Sequence, residues 1–198
     1  MTKMAVFYYS STGANYQLAQ WAESALKEAG AEVKLVKIPE TAPMEAIEQN
    51  PAWKKHYEET KDVPEASIDD LEWADGYIFS VPTRFGALPS QAKQFIDMAG
   101  GLWGEGKLVN KVVSGMTSAA NPHGGQEQTL TNLYTSMYHW GAIVVPPGYS
   151  DNVIFGSGGN PYGTSTTVDG EGNITDDVKG AVEHQARRTY EITKKISE

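Results

Sequence analysis

The residues Val6–Leu18, VFYYSSTGANYQL, restrict the fold of this chain more than any other stretch. Met4–Tyr9 is a short apolar run of strand formers, and from Leu18 onward the apolar positions take helical spacing, so Ser10–Asn15 must carry the chain from strand to helix in one tight turn. Six small or polar residues stand there: Ser10, Ser11, Thr12, Gly13, Ala14 and Asn15. Their backbone N–H groups and hydroxyls converge at the positive end of the following helix dipole, where a phosphate monoester would fit. The same residues also suit a plain helix cap, which Ser, Thr and Asn provide for stability alone.

The rest of the chain repeats the alternation. Leu18, Ala22, Ala25, Leu26 and Ala29 form one helical face ended by Gly30, and Glu32–Ile38 is a second strand running into Pro39. From Pro39 to Leu71 the pattern loosens. Pro43, Pro51 and Pro64 forbid one long helix in this acidic stretch, leaving an excursion with one short helix near Met44–Gln49, placed to cover a neighbouring subunit, and with His56 as a surface residue. Gly76–Val81 is the third strand. After Pro82–Gly86 comes a helix with Pro89 in its first turn, an apolar face of Leu88, Ala92, Phe95, Ile96 and Ala99, and a stop at Gly100 and Gly101. Val109–Ser118 reads as the fourth strand, Ala119–Gly125 as a loop, and Leu130, Leu133, Tyr134 and Met137 as the face of a helix ended by Gly141. Ala142–Val145 is the fifth strand. Residues 147–175 are rich in Gly, Asn and Ser without periodicity, which suits a functional or assembly segment, and a last helix opens at Thr175-Asp176-Asp177.

Five strands alternating with helices imply a three-layer α/β fold: a parallel sheet of order 2-1-3-4-5 with helices on both faces. In that order the turns after strands one, three and four open side by side at the switch point of the sheet. A chain of 198 residues, 40% apolar, is read as a single domain, 1–198, with excursions at 39–71 and 147–175. The net charge of -9 disfavours nucleic acid and anionic membrane as partners. With no cysteine there is no disulfide framework, thiolate nucleophile or iron–sulfur site, and no apolar run approaches a signal-peptide core or a membrane span, so a cytoplasmic location is expected.

The loops exclude several chemistries. The first turn has one glycine and no lysine, so it is neither a dinucleotide fingerprint nor a Walker loop. There is no G-x-S-x-G elbow and no H-E-x-x-H, and His56, His123, His139 and His184 lack zinc-ligand spacing, so no catalytic side chain and no metal site is assigned. The third strand ends Phe79-Ser80-Val81 with no carboxylate, unlike a response-regulator receiver. Thr83, Arg84 and Phe85 bring a hydroxyl, a fixed charge and an aromatic face to a strand end, suited to a planar ring with carbonyls on one edge. They are equally readable as a surface Arg beside a core Phe. Asn121, Pro122, His123, Gly124 and Gly125 allow close backbone approach, or form an ordinary solvent loop.

The hydroxyl-rich first turn resembles the FMN phosphate cradle of flavodoxins, with Asn15 where those usually carry Thr. Together with PETAP at 39–43, PTRFG at 82–86, GGLW at 100–103, GGQEQT at 124–129, HWG at 139–141 and PYGTST at 161–166, the chain resembles the WrbA family of flavodoxin-like NAD(P)H:quinone oxidoreductases. The resemblance implies FMN held by Ser10, Ser11, Thr12, Gly13, Ala14 and Asn15 around its phosphate and by Pro82, Thr83, Arg84, Phe85 and Gly86 beside its ring. Ser118, Ala119, Ala120, Asn121, Pro122, His123 and Gly124 are implied at the opposite edge of the ring. His139 is implied near the flavin across a subunit interface, and Thr12, Trp103 and His139 at the substrates. It further implies NADH or NADPH as electron donor, ping-pong two-electron reduction of quinones to hydroquinones, and a homotetramer. Two departures from the family stand out. Thr12 replaces an aromatic residue that some members turn to the nicotinamide, and Ala119–His123 replaces a Ser/Thr/Gly-rich run, leaving backbone N–H groups to serve the flavin edge. The rival readings are a flavodoxin-type electron carrier without quinone turnover and a flavin-free interaction protein.

Overall fold

The computed structural model describes residues 1–198. The elements are β1 (Lys3–Tyr8), α1 (Ala14–Glu28), β2 (Glu32–Lys37), α2 (Met44–Glu48), α3 (Pro51–Glu59), α4 (Ile68–Trp73) and β3 (Gly76–Ser80) in the first part of the chain. Then follow α5 (Ser90–Met98), α6 (Gly100–Gly104), β4 (Val112–Ala119), α7 (Gln126–Trp140), β5 (Ile143–Val144), α8 (Val153–Gly156), β6 (Ser165–Thr167) and α9 (Lys179–Ser197).

Strand β1 shows why the sheet needs a helical layer on each face. Its residues alternate sides: Ala5 and Phe7, with Tyr9 beyond the strand end, enter one core, while Met4, Val6 and Tyr8 enter the other. The first core is filled by Leu71 of α4, Ala92, Phe95 and Ile96 of α5, and Leu130, Leu133, Tyr134 and Met137 of α7. Phe7 stacks on Phe79 at 5.1 Å and meets Phe95 at 5.2 Å, and each such side chain contributes about 1.5–3 kcal/mol by leaving water. The second core is made by Leu18, Ala22 and Leu26 of α1 with Val182 and Ala186 of α9. All strands pair in parallel, in the order β2-β1-β3-β4-β5, so the three expected loops do leave adjacent strand ends.

The two excursions hold more structure than their composition suggested. Residues 39–71 carry three short helices, not one. Asn50 accepts hydrogen bonds from the Ala52 and Trp53 amides with Pro51 in the first turn of α3, and Ser67 and Asp70 form a reciprocal cap on α4. His56 is correspondingly not a surface residue: only 7% of it is exposed, because α3 lays it against Tyr16 of α1 and the Gly13 turn. In residues 147–175, β6 pairs in parallel with Thr117–Ala119 of β4, beyond the two-residue β5, which pairs with Val112 and Val113. The sheet therefore has six strands, the sixth continuing the edge that β5 begins.

Smaller corrections have local causes. Gly100 and Gly101 do not end the helical run, because neither takes a left-handed conformation; α5 breaks at Ala99 and α6 resumes at once. Strand β4 starts three residues later than expected, after a left-handed turn at Asn110. The last helix begins at Lys179, not at Asp176, whose carboxylate accepts hydrogen bonds from the Thr167 amide at 2.6 Å and the Thr166 hydroxyl at 3.0 Å. No helix is long and apolar enough to cross a membrane.

Candidate functional site

The turn after β1 is a nest of free donors. Ser10 Oγ accepts from the Gly13 amide at 2.9 Å, and Gly13, at φ 107°, hands the chain to α1, whose first internal bond runs from Gln17 to the Gly13 carbonyl. The amides of Ser11, Thr12, Ala14 and Asn15 have no backbone acceptor. They stand at the N-terminus of a 15-residue helix, which is the donor set a phosphate dianion requires.

Arg84 ties this turn to the one after β3. Its guanidinium donates to Ser11 Oγ at 2.9 Å and to its own neighbour's carbonyl, Thr83 O, at 3.1 Å. The backbone then reverses through Phe85 (φ 51°) and Gly86 (φ 75°), with Arg84 and Ala87 exchanging both amide bonds. A left-handed aromatic residue is costly, and here the strain presents the Phe85 ring fully to solvent at the cleft rim.

The loop after β4 packs against that turn without a gap. A Cβ on Gly124 would collide with Ala119, and one on Gly125 would come within 2.6 Å of Gly86 Cα. The Thr83 hydroxyl donates to Gly124 O at 3.2 Å and accepts from Thr129 Oγ1 at 2.7 Å. The Asn121 side chain accepts from the His123 amide, which leaves the amides of Ala120 and Asn121 open.

The three turns enclose a cleft of about 840 Å³. Among the residues expected at the site, Ser10, Ser11, Thr12, Ala14, Asn15, Pro82, Thr83, Arg84, Phe85, Ser118, Ala119, Ala120, Asn121 and Gly124 line it. Gly13 and Gly86 shape the turns behind it. Pro122 and His123 face a neighbouring polar groove on the far side of their loop. Trp103 and His139 lie outside the cleft of their own chain, joined by a 2.9 Å bond from the Trp103 indole to the His139 carbonyl, with Trp103 58% exposed.

Several side chains chosen by residue type are turned into the floor. Asn15 is 1% exposed: its amide donates to Ser80 Oγ at 3.2 Å and accepts from Ser118 Oγ at 2.6 Å. Its backbone N–H, not its side chain, is left for a ligand. Thr12 lies beneath the turn 169–173, where the Gly172 backbone (φ 90°) rests on it so closely that any Cβ would clash.

Other lining residues carried no motif of their own: Tyr9, Asn50, Trp53, Ser90, Gln91 and Val168. Only the Glu40 of PETAP signalled this part of the site. Its carboxylate accepts from Tyr9 at 3.0 Å, from Gln91 at 2.6 Å and from the amides of Thr41 and Ala42. Burial, with a smaller contribution from Glu40, pushes the Tyr9 phenol up to about 12, so it remains the donor in its bond to Glu40.

Against this geometry, the family model described as NADPH-dependent FMN reductase matches residues 2–152. A Deinococcus radiodurans protein named NAD(P)H dehydrogenase (quinone) is 54% identical over 194 residues, covering 98% of this chain and 96% of that protein. One of the same name from Brucella abortus (strain S19) is 40% identical, covering 99% of each. Among solved structures, the flavodoxin, WrbA-like protein from Agrobacterium tumefaciens aligns with a TM-score of 0.64 at 19% identity, over 100% of this chain and 98% of that one. A two-electron reduced Megasphaera elsdenii flavodoxin aligns with a TM-score of 0.57 at 17% identity, over 95% and 98%. The structural likenesses are those of a flavodoxin-like fold, and the sequence matches cover the cleft-forming turns; the chain belongs to the NADPH-dependent FMN reductase family, with relatives named NAD(P)H dehydrogenase (quinone).

Proposed function

We propose that this chain is an FMN-dependent NAD(P)H:quinone oxidoreductase. The observation that carries the reading is the convergence of three turns on one cleft, with unpaired amides at the start of α1 and Arg84 beside them. FMN, when bound, supplies a ring that takes two electrons and a proton from NADH or NADPH and returns them to a quinone, which gains a second proton from water to leave as hydroquinone.

The chain's own residues would hold and orient that group. The amides of Ser11, Thr12, Ala14 and Asn15 would carry the phosphate, and the α1 dipole would favour its charge. Arg84, held by Ser11 and by the Thr83 carbonyl, sets a permanent positive charge between the phosphate turn and the ring turns. Open amides at Ala120 and Asn121 can serve a carbonyl edge in place of absent side-chain hydroxyls. Thr83 and Ser118 lock the turns from behind and so fix the orientation of those donors.

The working unit we infer is a homotetramer in the cytoplasm, where both nicotinamide donors are available. In its support, Tyr149 and Phe155 stack on one another in the open, and Trp103 and His139 sit together outside their own cleft, free to serve a neighbour's. Sedimentation of the purified protein is expected to give four chain masses.

The test adds FMN to the purified protein and follows the flavin absorbance anaerobically while NADH or NADPH, then benzoquinone, is titrated. Bleaching by the nicotinamide and stoichiometric reoxidation by quinone are expected. FMN that binds but stays oxidised would favour an electron carrier, and a protein that takes up no FMN would refute the assignment of the cleft.

A further inference from the structure

The excursion after β2 reaches the site: its helix α3 supplies Asn50, at its cap, and Trp53 to one wall of the cleft. Strand β2 lies on the side of β1 away from β3 and β4, and α3 packs against the Gly13 turn, so this wall borders the phosphate turn and stands apart from the loop after β4. Ser90 and Gln91, at the start of α5, line the same cleft and are tied to the excursion by a 2.6 Å bond from Gln91 to Glu40. The FMN reading calls on none of these four side chains. Their polar atoms are already oriented. Asn50 Oδ1 caps α3 by accepting from the Ala52 and Trp53 amides at 3.0 and 3.1 Å, so the group it has left to offer is the Nδ2 amide. Gln91 is more than nine-tenths buried, and its Nε2 donates to the Glu40 carboxylate, which can only accept. That fixes the amide: Oε1 accepts from Ser90 Oγ at 3.2 Å and keeps a second lone pair.

A half-buried indole with one donor and one acceptor beside it suits a planar heterocycle that carries a ring nitrogen next to an exocyclic amine, as adenine does. A quinone ring offers acceptors only. Of the two substrates, the nicotinamide donor alone has a second ring to place. We propose that Asn50, Trp53 and Gln91 form the adenosine subsite for that donor, with adenine stacked on Trp53, a ring nitrogen accepting from Asn50 Nδ2 and the amine donating to Gln91 Oε1. This rests on the FMN reading above. A dinucleotide with its nicotinamide on the flavin ring then runs back over the phosphate turn to α3, and the excursion is part of the substrate site.

The test compares NADH with reduced nicotinamide mononucleotide, which carries the same hydride and no adenosine, as donors to the FMN-loaded protein with benzoquinone. Trp53→Ala is expected to lower kcat/KM for NADH about tenfold through KM, with kcat and the KM for the mononucleotide and for benzoquinone each within about twofold of wild type. Trp53→Phe keeps a stacking face and is expected to stay within about threefold. Asn50→Ser keeps the cap and removes the amide, and is expected to raise the KM for NADH about fivefold. A second readout needs no turnover: calorimetric binding of ADP-ribose is expected to weaken about tenfold in Trp53→Ala, while FMN affinity is unchanged. Equal losses for NADH and the mononucleotide would make Trp53 a packing residue, and a loss for benzoquinone alone would give this wall to the quinone. Either result would overturn the proposal, as would an unchanged KM for NADH or wild-type protein that binds no ADP-ribose. Should Trp53→Ala fail to fold by circular dichroism, Trp53→Leu and Asn50→Ser carry the same comparison. Wild-type protein that takes up no FMN yet binds ADP-ribose through Trp53 would instead refute the FMN reading and leave the adenosine subsite standing.

Discussion

Gln185 shows how much a single polar side chain can hold together. On α9 and fully buried, it accepts from the Thr164 amide at 2.7 Å and the Thr164 hydroxyl at 2.8 Å, and donates to Ser114 Oγ at 2.8 Å and Gly115 O at 2.7 Å. It thereby fastens the segment 147–175 to β4 with every hydrogen-bonding atom satisfied. Gln185→Leu fits the volume but orphans a buried amide and a carbonyl, and is expected to cost about 2–4 kcal/mol, read as a lower urea midpoint at unchanged slope. The same residue-scale logic governs Arg84. Arg84→Ala removes the one charge joining the phosphate and ring turns and is expected to raise the FMN dissociation constant about tenfold by fluorescence titration. Lysine is expected to restore only part of it, having no fork to span Ser11 and Thr83 O. At this scale the residue types around the cleft were legible in the sequence, but their directions were not. Asn15, Thr83 and Ser118 are hydroxyl or amide residues at the right turns, and all three spend their side chains on one another's loops. Which way a side chain faces depends on strands brought together from distant parts of the chain.

At the scale of elements, the strands of the central sheet and their order were readable because each leaves a periodic apolar signal and right-handed crossovers limit the alternatives. The two excursions were readable only in part. Helix α2 stands where a short helix was expected, near Met44–Gln49, but α3 and α4 are too short to show a clear period, and their caps at Asn50 and Ser67 are the only local marks. Strand β6 is three residues of Ser and Thr, and only its pairing with Thr117–Ala119 makes it a strand. Its consequence reaches the site, since the chain leaving β6 closes an antiparallel bridge between Val168 and Ile174, and the turn between them covers Thr12. Asp169 organises that turn by accepting from the amides of Glu171 and Asn173. Gly172→Ala would need both a left-handed alanine and room that Thr12 occupies, so the turn must lift. The expected outcome is weaker FMN binding with a global stability loss of about 1–2 kcal/mol, and faster amide exchange confined to 167–175.

For the whole molecule, the acid side of the stability curve follows from which buried groups change their proton affinity on folding. His56 has its pKa lowered from 6.5 to about 4, first by burial and then by Lys37, so in the unfolded chain it takes up a proton at a pH where the native protein cannot. Stability is therefore complete above pH 6.5 and drains away as the pH falls toward 4, by up to about 3 kcal/mol from this one group. A second window opens lower. Burial pushes Asp70 up, but the Lys34 ammonium and the Ser67 amide and hydroxyl outweigh it, and the Thr167 and Thr166 bonds do the same for Asp176. Both carboxyls end below their ordinary 3.8, so the stability they add is present above that value and is lost as the pH drops through their folded values. The two windows belong to different parts of the chain, α3 against the phosphate turn and the caps of α4 and β6. Urea midpoints measured without added FMN from pH 7.5 to 3 are thus expected to fall in two stages. In His56→Phe the upper stage should vanish while the lower one stays, and an upper stage that persists in that variant would assign it to a group other than His56.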